Sequence, residues 1–165
     1  MILMKRELLV LIALMIGLLS GCLNDDYADQ NNADQEKIKA YIEKNGLSLD
    51  YDPNSGIHYK ILSLGDTTRR PTADSSLITV NYEGRLLTDS IFVKGDSVEM
   101  NYTRQPIGFQ LGVSSIGEGG EIFMILPSLV GYGSASFVTD TPYQTTVPPF
   151  SVLVYEVELL KVGSK

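Results

Sequence analysis

Three periods of apolar residues follow one another along the chain. From Leu8 to Leu19 the apolar run is nearly unbroken. From Asp34 to Asn45 it recurs at Ile38, Tyr41 and Ile42, the i, i+3, i+4 spacing of one helical face, and after Gly56 it switches to period two, with Ile57, Tyr59 and Ile61 on one side and His58, Lys60 and Leu62 on the other. The second segment predicts a short amphipathic helix capped by Asp34 and stopped at Gly46. The third predicts a first strand, entered from the turn "DPNSG" at 52–56.

Strand signals continue to the end of the chain. "LITVNYEGRLL" (77–87) follows a polar connection at 66–76 and puts Ile78, Val80 and Tyr82 on one face; "SVEMNY" (97–102) and "EIFMILP" (121–127) are shorter candidates. The clearest is "SVLVYEVELLKV" (151–162), where Leu153, Tyr155, Val157 and Leu159 share a side and Glu156 and Glu158 take the other. One buried and one wet face predicts an antiparallel sheet covered on one side. Between strands, "QPIGFQLGVSSIGEGG" (105–120) opens with a proline suited to a helix's first turn. Ile107, Leu111 and Ser114 share one face and Phe109, Val113 and Ile116 another, while the glycines require the sheet to stabilise the helix. The stretch "DSIFVKGD" (89–96) stays open between two readings: Ile91, Phe92 and Val93 form a small core strand, or Phe92 and Val93 line a pocket.

The first apolar run is not part of the folded domain. Lys5 and Arg6 precede it and Ser20 and Gly21 follow it, the pattern of a secretory leader over 1–21. It is too short for a transmembrane helix, which needs about 20 residues. The single cysteine, Cys22, follows Leu19-Ser20-Gly21, and this run resembles the lipobox of bacterial lipoproteins, whose cysteine is acylated. That resemblance implies a lipid-bilayer partner held through Cys22. Leu23, in place of the aspartate that often retains such lipoproteins at the inner membrane, points to the outer membrane of a bacterial envelope. "LNDDYADQNNA" (23–33) then reads as a flexible acidic tether, so that 22–33 separates the anchor from one domain's worth of chain. The formal charge of −7 becomes one unit more negative once Lys5, Arg6 and Glu7 are removed, which disfavours a nucleic-acid partner.

Chemistry-bearing residues are sparse. The only histidine, His58, alternates within a strand and reads as a surface residue, which leaves any nucleophile triad without its base. Acidic groups are scattered, so no metal site is expected. "GEGG" (117–120) lacks the glycine-lysine-serine spacing of a phosphate loop and reads as a turn, and Glu156 and Glu158 read as solvating groups. No cofactor is expected. What the chain supplies is wall material beside turns: Tyr82, Phe92, Phe109, Tyr132 in "GYG", and Val147 before Pro148-Pro149. Singly, core packing accounts for each. Together they outline an apolar pocket.

From about Ser76 to Val162 the chain resembles the FKBP-type peptidyl-prolyl cis-trans isomerases, through "ITVNYEGRLLTDSIF", "GEGGEIFMILPSLVGYG" and "VPPFSVLVYEVELLKV" in that order and spacing. The helix and first strand, in the segment 34–75, resemble what precedes the isomerase domain (76–165) in lipid-anchored bacterial members. The resemblance implies an α+β fold: a twisted, half-open antiparallel sheet wrapped around one short helix, with a preceding N-terminal helix and a prolyl pocket between helix and sheet. Carried onto this sequence, the pocket takes Tyr82, Phe92, Phe109 in place of the usual tryptophan, Tyr132, Val147, and Tyr155 where phenylalanine is usual. Pro106 and Ile107 open the helix, and a proline there removes an N–H donor that a ligand would use. The expected partners are proline-containing protein clients, and macrolide-type inhibitors belong to the same pocket.

The resemblance breaks at Val93. The family has an aspartate after the phenylalanine, thought to orient the pocket tyrosine and to face the substrate carbonyl. With Val93 the Tyr82 hydroxyl loses that partner, which predicts reduced activity. Two functions follow: a prolyl isomerase assisting the folding of extracytoplasmic proteins, or a non-catalytic FKBP-like module that binds clients. The polar loop at 134–147 lies over the expected pocket mouth and is where client specificity would reside.

Overall fold

The strands Leu77–Leu86 (β3) and Leu153–Val162 (β8) pair antiparallel along nearly their whole length and form the middle of the sheet. The computed structural model describes residues 27–72, 77–140 and 142–163. In chain order the other strands are Asp50–Tyr51 (β1), His58–Ser63 (β2), Ile91–Asn101 (β4), Gly120–Leu126 (β5), Phe137–Val138 (β6) and Thr146–Val147 (β7). Six of them form one sheet in the order β1-β2-β5-β8-β3-β4, with every pairing antiparallel, and β6 and β7 make a separate hairpin. The expected α+β architecture is the one observed.

A short helix, Ile107–Ser114 (α2), lies against one face of this sheet. Its buried residues are Phe109 and Val113, with Ile116 just beyond. Of the two stripes read from the sequence, this one faces Ile122, Met124 and Leu126 of β5 and Leu153, Tyr155, Val157 and Leu159 of β8. The other points outward: Ile107 and Leu111 are 51% and 44% exposed. Gly112 sits where a Cβ would overlap the Met124 sulfur, so glycines in α2 let it approach the sheet closely.

The one-sided reading of the sheet is corrected by the N-terminal helix (α1, 27–45), which covers one end of the opposite face. Ile38 and Tyr41 pack there with Ile125, Val152 and Val154, the strand residues that point away from α2. The flexible tether expected at 22–33 is also corrected over 27–33, which are helical. Its docking stripe runs through Gln30, Asn31, Asp34 and Gln35 before reaching Ile38, Tyr41 and Ile42, so its first half is polar and carries no hydrophobic period. Asp34 is likewise not a cap. It is buried inside α1, where its carboxylate accepts from the Ser128 backbone N–H at 2.8 Å and from Gln30 Nε2 at 2.8 Å. It thereby satisfies an otherwise orphaned donor at the start of the 3₁₀ turn Ser128–Val130. His58 is half-buried rather than on the open surface, because its Nε2 meets Gln35 Oε1 at 2.8 Å. Gln35 Nε2 donates to the Gly56 carbonyl at 2.8 Å, which leaves its oxygen to accept and makes His58 Nε2 the donor. The readings of the leader at 1–21, Cys22 and residues 23–26 lie outside the described residues.

Two further features position the site. The stretches at 89–96 and 97–102 belong to one strand, β4, whose register against β3 shifts twice. "GEGG" is a turn, as expected: Gly117 lies so close to the Asp66 backbone that a side chain has no room.

Candidate functional site

The second register shift in β4 answers the question raised by "DSIFVKGD". Gly84 pairs with Val93 and Arg85 with Ile91, so Phe92 is the extra residue of a β-bulge. Ordinary alternation would send Phe92 and Val93 to opposite faces. With the bulge, Phe92 is buried in the core facing α2 and Val93 packs against that same core, half-exposed. Gly84 makes this possible. A Cβ there would lie 2.8 Å from Phe92 Cζ, Tyr155 Cε1 and Val93 Cγ1.

Around Phe92 the aromatic rings meet edge to face. Centroid separations are 5.7 Å to Tyr155 and 6.2 Å to Tyr132, with Phe109 at 5.3 Å from Tyr155. Edge-to-face contacts align ring edges with the negative ring faces and fix each orientation. Phe92, Phe109 and Tyr155 are at most 2% exposed, so they form a sealed floor. Val147 of β7 is buried in the same cluster, while Tyr82, Val93 and Tyr132 are half-buried and form its reachable margin. Pro106 caps α2 and Ile107 is exposed at its first residue, outside the ring cluster.

Hydroxyl chemistry on this floor is limited to the tyrosines. Tyr132 and Tyr155 share a hydrogen bond at 3.2 Å. Burial pushes the Tyr155 hydroxyl well above its ordinary pKa, and Tyr132 and Tyr82 nearby add to that; Tyr132 is also raised by burial, with its bond to Tyr155 acting the other way. The Tyr82 hydroxyl is raised by burial and by the neighbouring Tyr132 and Tyr143, and it makes no hydrogen bond among the described residues. All three stay neutral at physiological pH, as donors rather than bases.

Three contributors escaped the sequence. Phe137 meets Tyr132 edge to face at 4.7 Å between centroids, Tyr143 lies close enough to Tyr82 to influence its ionisation, and Gly84 makes room for the floor. Phe137 and Tyr143 belong to the stretch read as a polar loop, which is the β6–β7 hairpin tied to β4 by Thr145 Oγ1 donating to the Ile91 carbonyl at 2.7 Å. The glycine in "YEGRL" was the available signal, since a glycine inside a strand pattern marks a bulge or a close approach. Away from the floor, Arg85 bridges Glu83 at 3.1 Å and Glu156 at 2.8 Å, and Asn81 donates to Glu158 at 2.7 Å. The two glutamates are therefore paired with neighbours on the outer face. Among the described residues no group of three or more His, Cys, Asp or Glu is placed to hold a metal.

An antiparallel sheet with a short helix packed over a cluster of aromatic rings makes this an α+β domain with an apolar site. The family model described as FKBP-type peptidyl-prolyl cis-trans isomerase matches residues 68–160. The chain belongs to the FKBP-type peptidyl-prolyl cis-trans isomerase family. Among curated relatives, the probable FKBP-type isomerase FkpA of Neisseria meningitidis is 30% identical over 137 residues, covering 80% of this chain and 47% of its own. FkpA of Escherichia coli K12 is 27% identical over 150 residues, covering 85% of this chain and 49% of its own. The crystal structure of FkpA from Escherichia coli superposes with a TM-score of 0.61 at 27% identity, covering 96% of this chain and 71% of that one. The chain thus spans about half the length of the curated relatives it matches.

Proposed function

We propose that this protein is a peptidyl-prolyl cis-trans isomerase that assists the folding of extracytoplasmic proteins by seating proline segments on the floor of Phe92, Phe109 and Tyr155. The observation that carries this reading is the edge-to-face ring cluster itself, packed under α2 with neutral donors at its margin. The reaction needs no nucleophile. Its barrier is the loss of amide resonance, about 18–20 kcal/mol, and the planar amide is more polar than the twisted one. An apolar surface that strips water from the amide raises the planar state relative to the twisted state. Rings gripping the prolyl side leave the preceding carbonyl to rotate towards a donor. Each tenfold acceleration needs only about 1.4 kcal/mol of preference for the twisted form.

Tyr132 is the donor best placed for that carbonyl. The buried Tyr155 hydroxyl has Tyr132 as its single partner, so Tyr155 donates to it and the Tyr132 proton is left to point outward. Val93 and Tyr82 contribute an apolar edge and a free hydroxyl, and Val147 closes the side beneath the hairpin. The Cys22 anchor, a bacterial envelope location at the outer membrane, proline-containing clients and macrolide-type inhibitors belong to the same proposal, supported by the leader pattern and the family membership.

A second reading has its own observation. With Val93 next to Phe92, that position offers no carboxylate, and among the described residues the Tyr82 hydroxyl has no hydrogen-bond partner to orient it. That favours a slow or non-catalytic module that binds clients. The two readings part in a refolding assay on a protein limited by one prolyl isomerisation. Acceleration in proportion to added protein, and a further gain with Val93→Asp, is the expected result; suppression of client aggregation with no acceleration by either form would favour the second reading.

A further inference from the structure

Tyr132 has a second side. It forms one wall of a cavity of about 720 Å3 whose other walls are Tyr27 and Gln30 of α1, Leu129, Gly131, Gly133 and Ser134 after β5, and Phe150. That volume falls in the range of sites that enclose a ligand, about 300–1,000 Å3. Among the described residues no charged side chain lines it. Two large aromatic residues are held out at its edges: Tyr27 is 62% exposed and Phe150 40% exposed. Phe150 also has a backbone φ of 54°, a left-handed conformation that a bulky residue adopts only under constraint. Its N–H donates to the Gly133 carbonyl at 2.7 Å, which ties its backbone to another wall residue of the cavity. Nothing in the core requires this arrangement, since the ring is exposed. Strain kept at an exposed aromatic residue is a feature of binding surfaces.

We propose that this cavity is a second subsite for the client polypeptide, taking apolar or aromatic residues that flank the proline, so that α1 contributes directly to substrate recognition. The inference rests on the prolyl-floor reading. One residue, Tyr132, belongs to both the floor's margin and the cavity's wall, so a chain seated on the floor passes from one to the other at that residue. An unfolded client offers uncharged segments whose aromatic or aliphatic side chains meet Tyr27, Leu129 and Phe150 and whose backbone meets Gln30 and Ser134. A folded partner would present the charged surface that the lining lacks.

The test compares a proline tetrapeptide, too short to reach past Tyr132, with an unfolded protein whose refolding is limited by one prolyl isomerisation. Phe150→Gly relieves the backbone strain and so retains the fold. The expected result is that the ratio of client to tetrapeptide kcat/KM falls about fivefold in Phe150→Gly and falls again with Tyr27→Ser, while Leu62→Ser, exposed on β2 and away from both the floor and the cavity, leaves the ratio unchanged. An unchanged ratio in both cavity variants, or an equal fall for both substrates, overturns the subsite. Should the unaltered protein accelerate neither substrate, the isomerase reading fails by itself. The cavity is then tested by suppression of aggregation of the same unfolded client: loss of suppression in Phe150→Gly supports the subsite and full suppression overturns it.

Discussion

Tyr155 carries a hydroxyl into a mostly apolar cluster, where among the described residues its hydrogen-bond partner is Tyr132. Tyr132→Phe removes that partner and strands a buried donor, so a loss of about 1–3 kcal/mol is expected in urea denaturation, with most of it recovered in the double variant Tyr132→Phe/Tyr155→Phe. If the double variant is no more stable than the single one, the two hydroxyls are not coupled. Gly84 gives a second prediction at this scale. Gly84→Ala forces a methyl against Phe92, Tyr155 and Val93 and is expected to cost about 1–3 kcal/mol, with the change reporting on the near-ultraviolet signal of the rings. The sequence made the rings themselves legible, because Tyr155 shares one side of its strand with Leu153, Val157 and Leu159, and Phe92 lies in a motif with a clear resemblance. It could not show that Phe92 and Val93 both point inward, since a one-residue bulge changes the face of a side chain without changing composition.

Among the elements, α1 departs furthest from the sequence reading. Its apolar residues Ile38, Tyr41 and Ile42 were visible at helical spacing, but the turns before them dock through Gln30, Asp34 and Gln35, of which Gln30 fell in the stretch read as tether and Asp34 at the expected helix start. Polar docking has a pH consequence. Burial, and secondarily the charge of Lys39, hold His58 below its usual pKa, so in the window below about 6.5 the unfolded chain takes up a proton that the folded chain resists. The contribution of neutral His58 is therefore present above that value and is lost as pH falls through the lowered folded pKa. Melting temperature is expected to drop on acidification from pH 7.5 to 5.5, and to drop less in His58→Gln; equal slopes would remove His58 from the account. Asp52, Asp66 and Glu83 have lowered pKa values through hydrogen bonds to Ser55, Thr68 and Lys94, and their effects fall in the more acidic carboxylate range. The β6–β7 hairpin was hidden for a similar reason. Phe137 and Val147 are isolated apolar residues among threonines and prolines, and two-residue strands leave no period to read.

Over the whole molecule, one sheet carries two apolar faces of different kinds. The face under α2 is lined by rings that fit a prolyl site; the far end of the other is closed by α1, and the rest is solvated by the Arg85, Glu83, Glu156 and Lys94 network. Removing residues 27–45 would uncover Ile125, Val152 and Val154 and free the Ser128 N–H, so the shortened protein is expected to melt lower and to bind an apolar dye that the longer one excludes. The central claim is that the sealed aromatic floor catalyses rotation about prolyl bonds despite Val93. It is tested most directly by exchange between the cis and trans signals of a short proline peptide, measured by nuclear magnetic resonance with the protein at substoichiometric concentration. The account expects exchange that rises linearly with protein, weakens in Tyr132→Phe and strengthens in Val93→Asp. Exchange at the buffer rate in the unaltered protein and in Val93→Asp alike would contradict it.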